Sequence, residues 1–327
     1  MSKKNLIFIP GKNPKPPPKQ HRDMLWRTLV EGVKRAQPDI AADLESHGKC
    51  FKLIAWNRLY YETEKDGERD LPWIDALINR HGPSEDDIRD AHAWHRKLDR
   101  TLYAVADHFP FVIRFLPGPA CETVNELRRY FDNHDNIAYH IREQLKKAIR
   151  PMLDNNESVL VIGHSMGSII AYDAFWELSH IEHRKDRLDF LSLGSPLGMN
   201  FVQHRLQGWN DTGKRKYPSI IRRWINIASV GDVTALDRHF CDDFQAMLQF
   251  GLIDSIEDHT DGIYNFYHNE DGLNCHRSYG YLVNPATGKI IADWLSESDS
   301  GEADQLRNDE GGTDNQSKQR NDDRKYD

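Results

Sequence analysis

The sequence predicts an α/β protein with a mostly parallel sheet of about six strands and helices on both faces. Short runs of β-branched, aromatic and leucine residues alternate with longer segments of helical periodicity, which is the order of a βαβ fold. The runs are apolar on both sides, as expected for strands that helices cover on both faces. At 327 residues, the chain is long enough to bury a substantial core without disulfides or metal ions.

Six short apolar runs are predicted as strands, because each ends near a glycine, an aspartate, an asparagine or a histidine. They are Asn5–Ile9, Phe51–Trp56, Ser158–Ile162, Asp189–Leu193, Trp224–Val230 and Ile263–Tyr267. Helical periodicity between and after these runs predicts the main helices. The helical segments are Met24–Ala36, Thr123–Leu153, Ser168–Leu178 and Lys289–Leu295.

Residues 62–119 interrupt this alternation of strands and helices. They contain helical patches at Trp73–Ile78 and Leu98–Phe109, but no clear strand before Phe111–Ile113. Connections within compact domains are usually much shorter, so a segment of this length favours a helical, lid-like insertion. Ordinary crossover helices are the alternative interpretation.

Residues 297–327 differ from the rest of the chain in having almost no large apolar side chains. Ten acidic and five basic residues give this segment a charge of −5, most of the −8 of the whole chain. Such a segment buries too little surface to offset its ordering entropy, so it is predicted to be a disordered polar tail. The expected organisation is one domain over residues 1–296 followed by this tail.

The composition excludes several classes of protein. Hydrophobic residues make up 39% and charged residues 29% of the chain, which is typical of a globular protein and not of a collagen-like or wholly disordered one. A net charge of −8 argues against a dedicated nucleic-acid binder, because phosphate binding needs a positive surface. The apolar run Leu6–Ile9 is too short for a secretory signal or a membrane span, so no transmembrane segment and a cytoplasmic location are expected.

No metal or organic cofactor is predicted. The cysteines form no CxxC pair and lie far apart, at Cys50, Cys121, Cys241 and Cys275. Two histidine pairs have a spacing that allows a shared metal, but neither has an obvious third ligand. These pairs are His92 with His95 and His180 with His183.

The strongest motif is Gly163-His164-Ser165-Met166-Gly167, between the third predicted strand and an apolar helix. A G-x-S-x-G sequence in this context predicts a strained turn that exposes the serine hydroxyl. Gly163 and Gly167 lack side chains, so strand and helix can approach each other. Ser165 is therefore the candidate nucleophile, and the N–H of Met166 is a candidate donor to a developing negative charge. An ordinary glycine-rich turn with an incidental serine is the alternative.

This segment resembles the nucleophile elbow of the α/β-hydrolases, in particular bacterial lipase- and esterase-like members that carry Gly-His-Ser-Met-Gly. The resemblance covers most of residues 5–296. It includes Leu193–Gly198, which is similar to a strand-end motif of lipase-like hydrolases. The resemblance implies an α/β-hydrolase fold and a serine hydrolase that needs no cofactor.

In this family the acid and the histidine of the catalytic triad follow the serine in the chain. Asp232 matches the expected position of the acid, because it comes directly after the strand predicted at Trp224–Val230. Asp237 is the rival, and Asp242 and Asp243 are weaker candidates. The alternative to a catalytic role is that Asp232 is an ordinary aspartate that caps a turn or a helix.

The triad histidine is expected in a loop before the C-terminal helix. His276 has this position, since the short helix predicted at Lys289–Leu295 follows it. His268, at the end of the presumed last strand, is the main rival, and His259 is a further candidate.

The second donor to the oxyanion is expected in the loop after the first strand. That loop reads Pro10-Gly11-Lys12, where the family usually has His-Gly. The N–H groups of Gly11 and Lys12 remain as donors, and by analogy Lys12 is favoured. The proline in place of histidine is a departure from the family pattern.

The expected function is hydrolysis of a carboxylic ester, of the esterase or lipase type, with a thioesterase or phospholipase as variants of the same chemistry. A catalytically silent scaffold for ligand binding or protein interaction is the alternative, because a fold alone does not establish activity. The substrate is expected to be a small-molecule or lipid ester. Peripheral contact with lipid is a further expectation, because four basic residues surround a proline-rich run and could bind an anionic substrate or a phospholipid head group. These residues are Lys12, Lys15, Lys19 and Arg22. A stiff loop with solvated charges is the alternative.

Overall fold

A computed structural model describes residues 3–46, 48–93, 118–235 and 239–297 of the chain. These residues form a six-stranded sheet whose neighbouring strands are all parallel. In chain order the strands are β1 (Lys4–Ile9), β2 (Phe51–Leu53), β3 (Ser158–His164), β4 (Leu188–Leu193), β5 (Ile221–Ile227) and β6 (Ser255–His259). In space their order is β2-β1-β3-β4-β5-β6.

Helices connect and cover these strands. They are α1 (Pro18–Ala36), α2 (Pro38–Ser46), α3 (Asn57–Tyr61), α4 (Leu71–Ile78), α5 (Glu85–Ala91), α6 (Gly118–Asp132), α7 (Ile137–Asp154), α8 (Met166–His180), α9 (Asn200–Gln203), α10 (Phe240–Asp243), α11 (Gln245–Gln249), α12 (Ser278–Leu282) and α13 (Pro285–Ser296). A two-stranded antiparallel hairpin, β7 (His268–Asn269) and β8 (Gly272–Leu273), precedes α12.

The core lies on both faces of the sheet. Successive side chains of a strand point to opposite faces. Ile7 of β1 accordingly packs with helices α7 and α8, whereas its neighbour Leu6 packs with α1 and α13. Both layers contain fully buried aromatic side chains, such as Trp224 and Tyr279. The predicted α/β architecture with a parallel sheet of six strands is therefore confirmed.

The sixth strand was predicted in the wrong place. Ile263–Tyr267 is not a strand, and the edge of the sheet is β6 (Ser255–His259). An edge strand pairs on one side only and is partly solvated, so β6 carries polar residues such as the exposed Glu257 and lacks an apolar run. Ile263, Phe266 and Tyr267 are apolar because they fill the core as irregular chain.

Another predicted element also differs from the structure. The segment predicted as one helix over Thr123–Leu153 is two helices, α6 and α7, because Asn133, Asp135 and Asn136 adopt a left-handed backbone with positive φ. In the 62–119 segment, the patch at Trp73–Ile78 is helical as predicted and belongs to α4. The Leu98–Phe109 patch and Phe111–Ile113 lie outside the described residues, as do residues 298–327 of the tail. Within the described ranges, no helix is both long enough and apolar enough to cross a membrane.

Candidate active site

The turn between β3 and α8 holds Ser165 in a strained conformation. Its φ of 53° and ψ of −126° place a residue with a side chain in a region that favours glycine. Its backbone N–H donates to the carbonyl of Leu193 at the end of β4, at 3.0 Å. The sharp turn brings Ser165 to the carboxyl edge of the sheet, the edge at which α/β proteins bind ligands.

The two glycines of the motif allow the strand and the helix to touch. A Cβ atom on Gly163 would lie 2.7 Å from the Cα of Ser168, and one on Gly167 would lie 2.2 Å from the carbonyl oxygen of Ile9. Both neighbours are backbone atoms that cannot move aside locally. The close approach predicted for this motif is therefore present.

The structure brings Ser165, His276 and Asp232 together. His276 Nε2 lies 2.9 Å from Ser165 Oγ, and His276 Nδ1 lies 2.8 Å from Asp232 Oδ2. A neutral imidazole has one donor and one acceptor nitrogen. With Nδ1–H donating to the carboxylate, Nε2 is left to accept the proton of the serine hydroxyl. This is the arrangement that activates a serine hydroxyl as a nucleophile.

Asp232 is fully buried and is surrounded by donors. Tyr281 donates its hydroxyl to Oδ2 at 2.6 Å, and the N–H of Thr234 donates to Oδ1 at 2.9 Å. Burial disfavours the charged form, but the contact with His276 and these two donors outweigh it, so the pKa of Asp232 lies below its ordinary value. The carboxylate is therefore ionised at neutral pH and orients the imidazole.

The rival acids do not replace Asp232. Asp242 and Asp243 are exposed at the end of α10. Asp237 lies outside the described residues. The rival histidines also have other neighbours: His268 Nε2 lies 2.7 Å from Asp87 Oδ1, and His259 lies 3.5 Å from Glu257.

The loop after β1 packs against the serine turn. A Cβ atom on Gly11 would lie 2.9 Å from both Ser165 Cβ and His164 Nδ1, so this position has no room for a side chain. In the described part of the chain, the N–H groups of Lys12 and Met166 donate to no protein acceptor. Of the three residues predicted for the oxyanion hole, Gly11 therefore borders Ser165, Met166 follows Ser165 in the chain, and Lys12 follows Gly11.

Asn57, which the sequence analysis missed, fixes this loop. It is buried at the start of α3 and donates through Nδ2 to the carbonyls of Gly11 at 2.9 Å and Asn13 at 3.0 Å. In a trans peptide the N–H points opposite to the C=O. By anchoring the Gly11 carbonyl, Asn57 therefore sets the direction of the Lys12 N–H. An asparagine at a helix start is an ordinary capping signal, so the sequence gives no sign of this role.

His164 and Tyr281 were also missed. His164 Nε2 donates to the carbonyl of His276 at 2.7 Å, and the two rings are 4.8 Å apart. Burial, with repulsion from His276, lowers the pKa of His164 well below its ordinary value, so this ring is neutral. Tyr281 receives the N–H of Ser229 at 2.9 Å while it donates to Asp232.

Two residues of the Leu193–Gly198 motif, Gly194 and Ser195, make close contacts with the candidate site. Gly194 has a φ of 53°, and a Cβ atom there would lie 2.7 Å from Asp232 Oδ2 and 3.0 Å from the Tyr281 hydroxyl. The next residue, Ser195, shares a 2.6 Å hydrogen bond with the hydroxyl of Ser168 on α8. The motif therefore makes room for the acid and ties β4 to the serine helix.

The described residues contain no group of three or more histidine, cysteine or acidic side chains placed to hold a metal ion. The arrangement offers a nucleophile, a base, an acid that orients the base, and unpaired backbone donors. Comparisons with protein-family models, with curated proteins and with solved structures find no match to this chain.

Proposed function

We propose that the chain is a serine hydrolase of the α/β-hydrolase fold that cleaves a carboxylic ester, of the esterase or lipase type. The observation that carries the proposal is the continuous contact from Ser165 Oγ through His276 to Asp232, at 2.9 and 2.8 Å. The strained serine turn adds support, because backbone strain of this kind is concentrated at functional sites. The candidate residues follow β3, β5 and β6, which is the chain order of the triad in that family.

In the first half of the proposed reaction, Ser165 Oγ attacks the ester carbonyl while His276 Nε2 takes the hydroxyl proton. The tetrahedral intermediate collapses, the bond to the alcohol oxygen breaks, and His276 gives the proton to the leaving alcohol. An acyl group is left on Ser165. Asp232 stays ionised and stabilises the imidazolium that forms during both proton transfers.

In the second half, water replaces the alcohol. His276 takes a proton from the water, whose oxygen attacks the acyl carbonyl, and the bond to Ser165 Oγ breaks as the serine regains its proton. The net change is ester plus water to acid plus alcohol. In both halves the N–H groups of Met166 and Lys12 stabilise the negative charge on the carbonyl oxygen, with Gly11 providing the close approach of the loop.

Within this proposal, residues 62–119 form a helical lid-like insertion. The described part of this segment contacts the β7–β8 hairpin that precedes His276, because Asp87 at the start of α5 contacts His268. Its two described helices, α4 and α5, lie close to the β7–β8 hairpin.

Labelling with a fluorophosphonate probe tests the proposal directly. The probe reacts with an activated serine, so the wild-type protein is expected to be labelled and Ser165→Ala is expected to remain unlabelled. Ser179→Ala is the control, because Ser179 is a buried serine near the far end of α8, and its hydroxyl bonds to the backbone of Phe175, Ser219 and Ile220 and not to His276. Absence of labelling in the wild type would overturn the proposal and favour a catalytically silent scaffold.

A further inference from the structure

A polar cavity of about 200 Å³ lies beside the chain segment that carries the candidate base. Its wall includes Arg277, the residue directly after His276, and consecutive Cα atoms are only about 3.8 Å apart. The other charged and aromatic wall residues include Lys65, Arg69, Asp70, Tyr267 and Glu270. A cavity with such a wall suits a polar group and not an acyl chain.

Two polar atoms of these wall residues are buried and form no hydrogen bond of normal distance and angle with the described residues. They are Nε of Arg277 and the hydroxyl of Tyr267, whose residue is 1% exposed. Burial, which outweighs the attraction of nearby Arg277, raises the pKa of Tyr267 to about 12, so the hydroxyl keeps its proton. Buried polar groups in folded proteins are nearly always paired, so two adjacent unpaired groups indicate a missing acceptor.

The carboxylates of the wall already have partners. Asp70 contacts Lys65 at 2.8 Å and also Arg277, and Glu270 contacts Arg69 at 3.5 Å. Asp271, also on the wall, accepts from the Asn269 side chain at 3.3 Å. None of these acids is therefore the missing acceptor for Arg277 Nε in this structure.

Lys15 is a further basic residue of this region. Its carbonyl accepts the N–H of Lys65 at 2.9 Å, and its ammonium group donates to the carbonyl of Lys12 at 2.6 Å. Across the described ranges, this ammonium group forms no ion pair with a carboxylate. Desolvation, with repulsion from Arg277 and Lys65, lowers the pKa of Lys15 well below its ordinary value. A bound anion would relieve this repulsion.

We propose that the cavity binds a negatively charged group of the ester substrate, a carboxylate or a phosphate, through Arg277 Nε and the Tyr267 hydroxyl. This inference rests on the proposed hydrolase function and narrows its substrate to anionic esters. Arginine suits both groups because its guanidinium geometry matches planar and tetrahedral oxyanions. The proposal places the charged group in the cavity and the ester carbonyl at Ser165.

Matched pairs of esters test the proposal. In one arm, 4-nitrophenyl monoesters of dicarboxylic acids of increasing length are compared with neutral 4-nitrophenyl esters of the same lengths. In the other arm, acylated glycerol phosphate is compared with acylated glycerol. At least one anionic ester is expected to exceed its neutral counterpart by about tenfold in kcat/KM, the effect of one hydrogen bond to a charged group. The arm in which the anionic ester is preferred over the neutral one shows whether the cavity binds a carboxylate or a phosphate.

Tyr267→Phe is the informative variant, because it removes one hydroxyl that forms no hydrogen bond of normal distance and angle with another described residue. It is expected to lower kcat/KM for the preferred anionic ester by about tenfold and to leave the neutral ester and the melting temperature unchanged. Tyr217→Phe, on a different part of the surface, is the matched control and is expected to change neither rate.

Equal rates for anionic and neutral esters in both arms would overturn the anion subsite and leave the hydrolase proposal intact. An equal loss on both esters in Tyr267→Phe would also overturn the subsite, because the hydroxyl would then act on the reaction and not on the charge. Absence of hydrolysis together with absence of Ser165 labelling would overturn both proposals.

Discussion

The imidazole of His164 donates a hydrogen bond to the backbone carbonyl of His276 at 2.7 Å. The residue directly before the candidate nucleophile therefore holds the backbone of the candidate base. The two rings also lie 4.8 Å apart, and His164 is buried in a neutral state. His164, the residue between Gly163 and Ser165 in the serine motif, thus links the nucleophile turn to the loop of His276, more than a hundred residues away in the chain.

Removing this link is expected to slow catalysis without weakening substrate binding. His164→Phe keeps a ring but loses the donor, so kcat is expected to fall about tenfold with KM unchanged, the cost of one positioning hydrogen bond. His164→Gln retains an N–H donor and is expected to recover part of the loss. Steady-state kinetics on a 4-nitrophenyl ester measure both variants. An unchanged kcat in His164→Phe would contradict the positioning role.

His276 and His268 are expected to respond differently to substitution. His276→Ala removes the group that contacts Ser165 Oγ, so ester turnover is expected to fall by roughly a thousandfold or more. His268→Ala removes a contact with Asp87 and is expected to keep most of the activity. The same ester assay compares the two variants, with folding checked by circular dichroism. The opposite ranking would assign the base to His268.

The elements that the sequence predicted correctly have strong local signals. β1, β3 and β4 are buried on both faces, so their apolar runs mark them as strands. Ser165 lies in a motif whose two glycines have a steric reason, the close approach of the start of α8 to β3 and β1. Asp232 and His276 were predicted by their order after the serine. In the fold, His276 contacts Ser165 across a sequence separation of 111, and Asp232 contacts His276 across a separation of 44.

What the sequence could not predict depends on contacts between distant segments. The edge strand β6 lacks an apolar run, whereas the coil at Ile263–Tyr267 has one because the core needs it. Asn57 and Tyr281 act through two hydrogen bonds each, to segments far away in the chain. A polar residue in a helix has the same local pattern whether it caps the helix or supports a site.

The serine turn is expected to be sensitive to one added methyl group. Gly167→Ala would place a Cβ atom 2.2 Å from the carbonyl oxygen of Ile9, and overpacking costs about 1–3 kcal/mol. Gly82→Ala is the control, since a Cβ atom there meets nothing within 4 Å, and its free energy of unfolding is expected to stay within about 0.5 kcal/mol. Urea unfolding measures both. Equal midpoints would show that strand and helix can separate without cost.

Stability at acid pH is expected to depend on Asp87. Burial raises the pKa of this carboxyl, but hydrogen bonds from Ser84 and contacts with His268 and Arg80 outweigh it and lower the pKa from 3.8 to about 2. A lowered folded-state pKa gives stability that is present above pH 3.8 and lost as the pH falls towards 2. The wild type is therefore expected to lose about 2 kcal/mol more than Asp87→Asn in this window. Parallel loss in both proteins, measured by urea unfolding, would contradict the assignment.

Asn57 is expected to affect catalysis through the oxyanion loop. Its side chain fixes the Gly11 carbonyl at 2.9 Å, and the opposite end of that peptide carries the Lys12 N–H, the candidate donor to the oxyanion. Asn57→Asp keeps the shape but replaces the donor with a carboxylate that repels the Gly11 and Asn13 carbonyls. Since loss of one oxyanion donor costs about a hundredfold or more in kcat, disorder of its peptide is expected to cost about tenfold to a hundredfold, with KM little changed. Labelling by a fluorophosphonate at Ser165 is expected to slow in parallel, because that reaction also places negative charge on an oxygen in the same position. A variant that folds, and that loses affinity for the ester while keeping kcat, would place Asn57 in substrate binding and would remove the Lys12 N–H from the oxyanion site.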